Sequence, residues 1–308
     1  MAVSCPLLKQ KMIELHSLQE QFNVAFEEGQ KSKDFSEATK IKKQLEEVVK
    51  LIKAELVTGT KSEQAAEIMG KSFLGAEAVK KTFGIELNEK DIPPIMYTPE
   101  QLQEAEKRGE MLVLRVAVDK EGKPMTAKNV NDIVQPTTPD NKVLLAIDWY
   151  AKEKFFTDEA LKTGWKLVSK EVIADSKSKN YIDQTLVLRE FLKEVNALTD
   201  EELSECSDQK LKEIKILMGS DKVKAAQQLA SLKINQNHRR TMVEAIYDTA
   251  MRFKSTSERV LENTYDWTKT LSSGGDLVFF AGADSRGAGV SGYGPGRSDS
   301  GLGLVSSR

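Results

Sequence analysis

The sequence predicts an α+β fold: an N-terminal helical hairpin, a linker carrying short helices, and a larger domain that mixes helices with a few short, separated strands. Three observations carry this. Apolar residues recur at helical spacing through the first part of the chain, residues 111–118 (MLVLRVAV) alternate as a strand does, and the composition changes abruptly at about residue 270.

In the hairpin, Leu8, Met12, Leu15, Phe22 and Phe26 recur at spacings of three and four, with Gln19 as the polar interruption. Residues 29–33 read as a turn. Asp34 follows as an N-cap with Glu37 three residues on, the pattern of a capping box. Behind it, Ala38, Ile41, Leu45, Val48 and Ile52 keep a heptad alternation. Helices of this kind bury their seams against each other or against a partner. Residues 1–58 are therefore expected to form a coiled-coil hairpin that oligomerises or docks. The stretch from Asp34 to Leu45 also resembles the small helical hairpin of nucleotide-excision-repair proteins, but a plain coiled coil explains the same residues more simply.

Residues 59–97 read as a linker. Residues 75–83 suggest one short helix ended by Gly84, and Pro93 and Pro94 force extended backbone, which places the domain boundary there. Thr98, Pro99 and Gln101 then restart a helix as cap, first-turn proline and capping-box partner. Within 98–308, Leu112, Leu114 and Val116 share one face of the clearest strand, and residues 144–150 and 165–173 are further strand candidates. Residues 181–195 and 221–232 read as helices. Thr199 with Glu202 and Thr241 with Glu244 open two more, the second running to about Phe253.

Composition narrows the function classes. Charged residues make up 30% and the formal net charge is -2, which argues against a nucleic-acid or anionic-membrane footprint. The basic run His238, Arg239, Arg240 is short and reads as a helix start or a surface patch. Cys5 and Cys206 cannot build a disulfide framework and read as reduced thiols, consistent with an intracellular chain. The N-terminus lacks a signal-peptide pattern, so a cytoplasmic location is the default expectation. No run approaches the roughly 18 apolar residues of a membrane span.

From Thr270 to Arg308 there is no Lys, Glu, Gln, Met, Trp, His or Asn. Gly, Ser, Asp and Arg dominate, with Tyr293 near the middle. A solvated Gly/Ser tail is one reading. Against it stand three short apolar runs, 277–280, 288–290 and 302–305, and Trp267, an aromatic that seeks a core.

The segment resembles the C-terminal variable region of target proteins of diversity-generating retroelements, and the closing part of the formylglycine-generating-enzyme type of C-type lectin fold. The residues that carry the resemblance are Tyr265, Asp266, Trp267 and Thr268, Ser272 to Gly275, Leu277, Val278, Asp284, Ser285, Gly287, Ala288, Val290, Pro295, Leu302, Gly303, Ser307 and Arg308. Upstream, Phe155, Phe156 and Thr157, Gly164 and Trp165, the run from Leu167 to Ile173, Lys179 to Tyr181, and Gln184 with Thr185 look like the body of such a domain. The resemblance covers roughly the last two-thirds of the chain. It implies a C-type-lectin-like domain over 98–308 whose segment from about 270 to 308 is diversified at adenines of Asn-type codons. That process yields Ser, Gly, Asp, Tyr, Arg, Ala and Phe but never Lys, Glu, Gln, Met or Trp, and the segment lacks all five.

What the resemblance implies is a binding protein without catalysis. Tyr supplies large contacts at low entropic cost while Ser, Gly and Asp adapt, as in antibody loops. Its variable contact positions are Asp276, Phe280, Ala283, Arg286, Ser291, Gly292, Tyr293, Gly294, Gly296, Arg297, Ser298, Asp299 and Ser300, facing a variable ligand that is most simply a protein. No cofactor and no metal are expected. Gly287, Gly289 and Gly292 match a dinucleotide fingerprint, but Pro295 stands where a helix must begin. Gly70, Lys71 and Ser72 end like a phosphate loop, but its first glycine is replaced by Ala65. With only His16 and His238, triad or zinc chemistry has little material. The sulfatase-modifying relatives use cysteines in their C-terminal part, and here none follows Cys206. Asp276, Asp284 and Asp299 are too scattered for a calcium site. The rival reading is an adaptor in which the hairpin works and the Gly/Ser segment is a loose tail.

Overall fold

A computed structural model describes residues 6–56, 59–135, 144, 147–284 and 287–308. The chain is mixed α/β, with an N-terminal helical region and, among the described residues, two small sheets. It divides into two compact units.

The first unit holds the hairpin together with residues 59–61 and 94–98. Helix α1 (Pro6–Ser32) and helix α2 (Ser36–Leu56) pack side by side. Between them Lys33 takes a left-handed conformation (φ 61°), and Asp34 caps α2, its Oδ1 accepting from the Ser36 amide at 2.9 Å. That hydrogen bond holds the Asp34 carboxyl below its ordinary pKa. The seam is Ala25, Ala38 and Ile41, with Leu18 and Phe22 beside them. The expected turn at 29–33 is therefore later and tighter, and Phe26 is 42% exposed, outside the seam. Gly29 explains the shift: a Cβ there would lie 2.7 Å from the Phe35 ring, so only glycine lets the loop close this tightly. Cys5 lies outside the described residues. Among the described residues no helix is long and apolar enough to cross a membrane.

The second unit holds residues 62–93 and 99–308. Its elements are α3 (Ser62–Met69), β1 (Phe73–Leu74), α4 (Ala76–Phe83), α5 (Pro99–Lys107), β2 (Glu110–Arg115), α6 (Ala127–Val134), α7 (Lys154–Thr157), β3 (Gly164–Ser169) and α8 (Tyr181–Glu194). Then follow α9 (Asp200–Glu205), α10 (Asp208–Ser220), α11 (Lys222–Ser231), α12 (Lys233–His238), α13 (Met242–Thr256), β4 (Tyr265–Leu271), β5 (Leu277–Asp284), β6 (Gly287–Tyr293) and β7 (Leu302–Gly303). The expected linker 59–97 is thus mostly part of this unit. Ala78, Val79, Thr82 and Phe83 form the buried stripe of α4, and the Phe83 ring stacks on Tyr247 at 4.6 Å.

One sheet has the order β1-β2-β3, with β2 buried along its whole length; the other has the order β6-β5-β4-β7. Helix α13 contacts strands of both. Ten of its fifteen residues are buried, so it is enclosed and forms the axis of the unit. Two of the four capping boxes read from the sequence are present in full, Thr199 with Glu202 and Thr241 with Glu244. The strand expected at 144–150 is not one: Leu144 makes a single bridge to Ala288, and Trp149–Lys152 is a 3-10 turn capped by Asp148. Residues 145 and 146 lie outside the described residues.

Candidate functional site

The segment from Tyr265 onward forms the four-stranded sheet, in which residues buried on both faces stand beside more open ones at the strand ends and in the turns. The inner kind is fixed by packing and charge. Trp267 is fully buried, its ring edge-on to Tyr181 at 5.2 Å. Asp266 Oδ1 accepts from the Val305 amide at 2.8 Å, and Oδ2 accepts from Arg240 Nε at 2.9 Å. Thr268 Oγ1 donates to the Val278 carbonyl at 2.6 Å. Ser307 Oγ accepts from Arg115 at 3.0 Å, and the same guanidinium grips Asp248 through two bonds of 3.0 and 2.7 Å.

Arg239 and Arg240 are each 1% exposed, which overturns the reading of the 238–240 run as a surface patch, and the run leads directly into Thr241, the N-cap of α13. The physical reason is that buried partners meet both guanidinium groups. Arg239 donates to the Trp267 carbonyl and to Asn235 Oδ1, both at 2.9 Å, and lies 3.8 Å over the Tyr181 ring. Arg240 pairs with Asp266 and Asp248. Desolvation alone makes such charges costly, and only this partner set makes them tolerable.

The more open kind shares the Trp267 face of the sheet and lies at its border. Tyr265, Phe279 and Tyr293 form one aromatic row across β4, β5 and β6, with ring centroids 5.9 and 5.0 Å apart. Both tyrosines are 36% exposed while Phe279, between them, is 5% exposed. Arg297 lies 5.1 Å over the Tyr293 ring and 3.8 Å from Asp299. The turn that carries it is held from below: the Pro295 carbonyl accepts from the Tyr181 amide at 3.1 Å, and the Asp299 carbonyl from the Ser178 amide at 3.0 Å. The neighbouring 272–276 turn needs Gly275, which has φ 85° and sits against Val223.

Of the positions expected to contact ligand, Asp276, Tyr293, Gly296, Arg297, Ser298 and Ser300 are exposed, and Ser291, Gly292, Gly294 and Asp299 are half-buried. Phe280 is a correction: it is fully buried and belongs to the core. It pairs with Asp266 on β4 and Val290 on β6, on the sheet face opposite the aromatic row, so its ring cannot reach a ligand. Ala283 lies in β5, and Arg286 lies outside the described residues. Sequence reasoning missed Tyr265 and Phe279. The signal was available, because Tyr265 stands two residues from Trp267 and therefore shares its face. Gly287, Gly289 and Gly292 all lie along β6, not at the strand-to-helix turn a dinucleotide site needs.

A large concavity of the unit lies elsewhere, against α12, β3, β4 and the last two residues of the chain. Its volume is about 1180 Å³, and seven Lys or Arg side chains line it against four Asp or Glu. On its wall, burial pushes Glu159 up from an ordinary 4.5 to about 7, with the Glu244 charge adding to it. Burial also lowers the Lys166, Lys269 and His238 pKa values. His238 Nε2 lies 3.0 Å from Glu202 Oε1, while its Nδ1 is buried without a hydrogen-bond partner. Among the described residues no group of three or more His, Cys, Asp or Glu is placed to hold a metal ion. Cys206 is a buried free thiol whose pKa burial raises. No protein-family model matches the chain, and neither a curated protein nor a solved structure is similar to it.

Proposed function

We propose that the second unit is a C-type-lectin-like scaffold that displays a diversified, protein-binding surface, and that its work is recognition and not catalysis. The observation that carries this reading is the pair of partly exposed tyrosines, Tyr265 and Tyr293, set on either side of the buried Phe279, with Arg297 over the Tyr293 ring and the exposed Asp276, Ser298 and Ser300 in the turns. Tyr and Arg anchors ringed by small polar residues are the composition of binding hot spots. Rigid strands beneath hold the anchors in place, which lowers the ordering cost of binding. The expected positions in the turns are those whose side chains could change without disturbing the Asp266, Arg240, Trp267 layer below. The hairpin fits an oligomerising or docking element, and multivalency would raise the avidity of a weak site.

The test is the DNA that flanks the coding region. Diversification requires a neighbouring reverse transcriptase and a near-copy of the 3′ coding segment, with mismatches confined to adenines of the copy. Absence of the copy, or mismatches spread over all four bases, contradicts this origin. The adaptor reading separates from it by a binding assay: removing the Tyr293 ring abolishes capture of the ligand here and leaves hairpin-mediated assembly intact.

A further inference from the structure

The large cleft is built differently from the display face, and its charge balance is incomplete. Lys166 extends from β3 and Lys269 from β4, so the two amines enter from different sheets. Both are half-buried. Among the described residues neither has a carboxylate within ion-pair distance, and the Lys269 amine donates to the Gln236 carbonyl. Three of the four acids that line the cleft are engaged elsewhere, and the fourth, Asp158, is solvent-exposed. Glu244 is bound to Arg115 at 2.6 Å and to the Thr241 amide at 2.8 Å. Glu202 accepts from Asn237 at 2.7 Å and from the Thr199 amide at 3.0 Å, and it faces His238. Glu159 accepts, among the described residues, a long 3.5 Å bond from Thr270, and burial keeps it partly protonated near neutral pH. Arg115 adds a third positive charge that opposes both lysines.

A concave, partly desolvated site with two uncompensated ammonium groups favours an anion, because the alternative is to carry the charge unpaired in a poor solvent. We propose that this cleft binds a small molecule through an oxyanion, a phosphate or a carboxylate, held between Lys166 and Lys269. Asn237 stands on the same wall, and the second hydrogen of its Nδ2 is available for a further hydrogen bond. The volume exceeds what one oxyanion fills, and it matches or exceeds the range of about 300–1,000 Å³ usual for small-molecule sites. The oxyanion is therefore one end of a larger ligand. This site is independent of the display face.

Amine acetylation of the full-length protein, mapped residue by residue, tests it. Inorganic phosphate and malonate are each compared with chloride at equal ionic strength. Bound oxyanion protonates and covers the amines, so Lys166 and Lys269 should react about tenfold more slowly at an anion concentration near ten times the dissociation constant, with exposed Lys120 unchanged. Protection by phosphate alone or malonate alone assigns the group, and protection by both supports the shared chemistry. Equal rates in all three salts at both lysines overturn the proposal. In parallel, Lys166→Met and Lys269→Met should each abolish the anion-dependent rise in Tm seen for the wild type. A rise that persists in both folded variants also overturns it. If a variant does not fold, the wild-type acetylation result decides alone.

Discussion

The inner and outer sides of the Tyr265-to-Arg308 segment use the same short stretch of chain in opposite ways. Inward, Asp266, Trp267, Thr268 and Ser307 each have specific partners on other elements, and every one is buried. Outward, Asp276, Arg297, Ser298 and Ser300 are exposed. The difference teaches that a segment poor in large residues can still be structurally determined. Fixed residues within the strands supply the folding free energy, and positions in the turns between them are released for recognition.

The largest expected effects lie inside. Arg115→Met leaves Asp248 and Glu244 facing an apolar group, and removal of one partner of a buried pair costs about 3–5 kcal/mol. Phe280→Ala opens a cavity under the sheet and costs a similar amount, about 3–5 kcal/mol. Both are measured by denaturant unfolding. If Phe280→Ala instead leaves stability unchanged and removes binding, the assignment of Phe280 to the core is wrong. Gly275→Ala is expected to cost about 1–3 kcal/mol, since the new Cβ meets both a positive φ and Val223.

A smaller effect concerns pH. The folded state holds the Glu159 proton more tightly than the unfolded chain does, between an ordinary 4.5 and about 7. In that window the folded state carries more protons, so the contribution of Glu159 to stability falls as pH rises and is lost above about 7. Glu159→Gln removes this dependence and should flatten the decline between pH 5 and 7 by about 1–2 kcal/mol, after allowance for solvent screening. Unfolding curves at both pH values check it. An unchanged decline in the variant would assign the dependence to another group. Smallest of all, Tyr293→Ser and Arg297→Ser should shift stability by no more than about 0.5 kcal/mol, as ordinary surface changes do.

Much of the local structure was legible in the sequence because its causes are local. The Thr199 and Thr241 capping boxes need only a residue three positions on, and the apolar runs at 277–280 and 288–290 lie in the strands they suggested. What was not legible depends on distant partners. Arg240 looks like surface charge until Asp248 and Asp266 come to it from α13 and β4. The 62–93 stretch looks like a linker because α4 is short, and its value appears only where Phe83 meets Tyr247. For the candidate surface, the choice between Phe279 and Phe280 turns on a one-residue register, which fixes the face but cannot be read from two adjacent aromatics. The lysine-lined cleft needs β3 and β4 to approach, and nothing in either strand announces it.

The most direct measurement is a library that randomises Asp276, Ser291, Tyr293, Arg297, Ser298 and Ser300 together, scored for folding by thermal unfolding and then selected on unrelated protein targets. The account predicts that most members unfold within a few degrees of the parent, since a shift of about 1 kcal/mol moves Tm by only about 2–4 °C in a domain of this size. It also predicts that different targets select different sequences. Widespread loss of folding across the library, or no target-specific enrichment among its folded members, would contradict it.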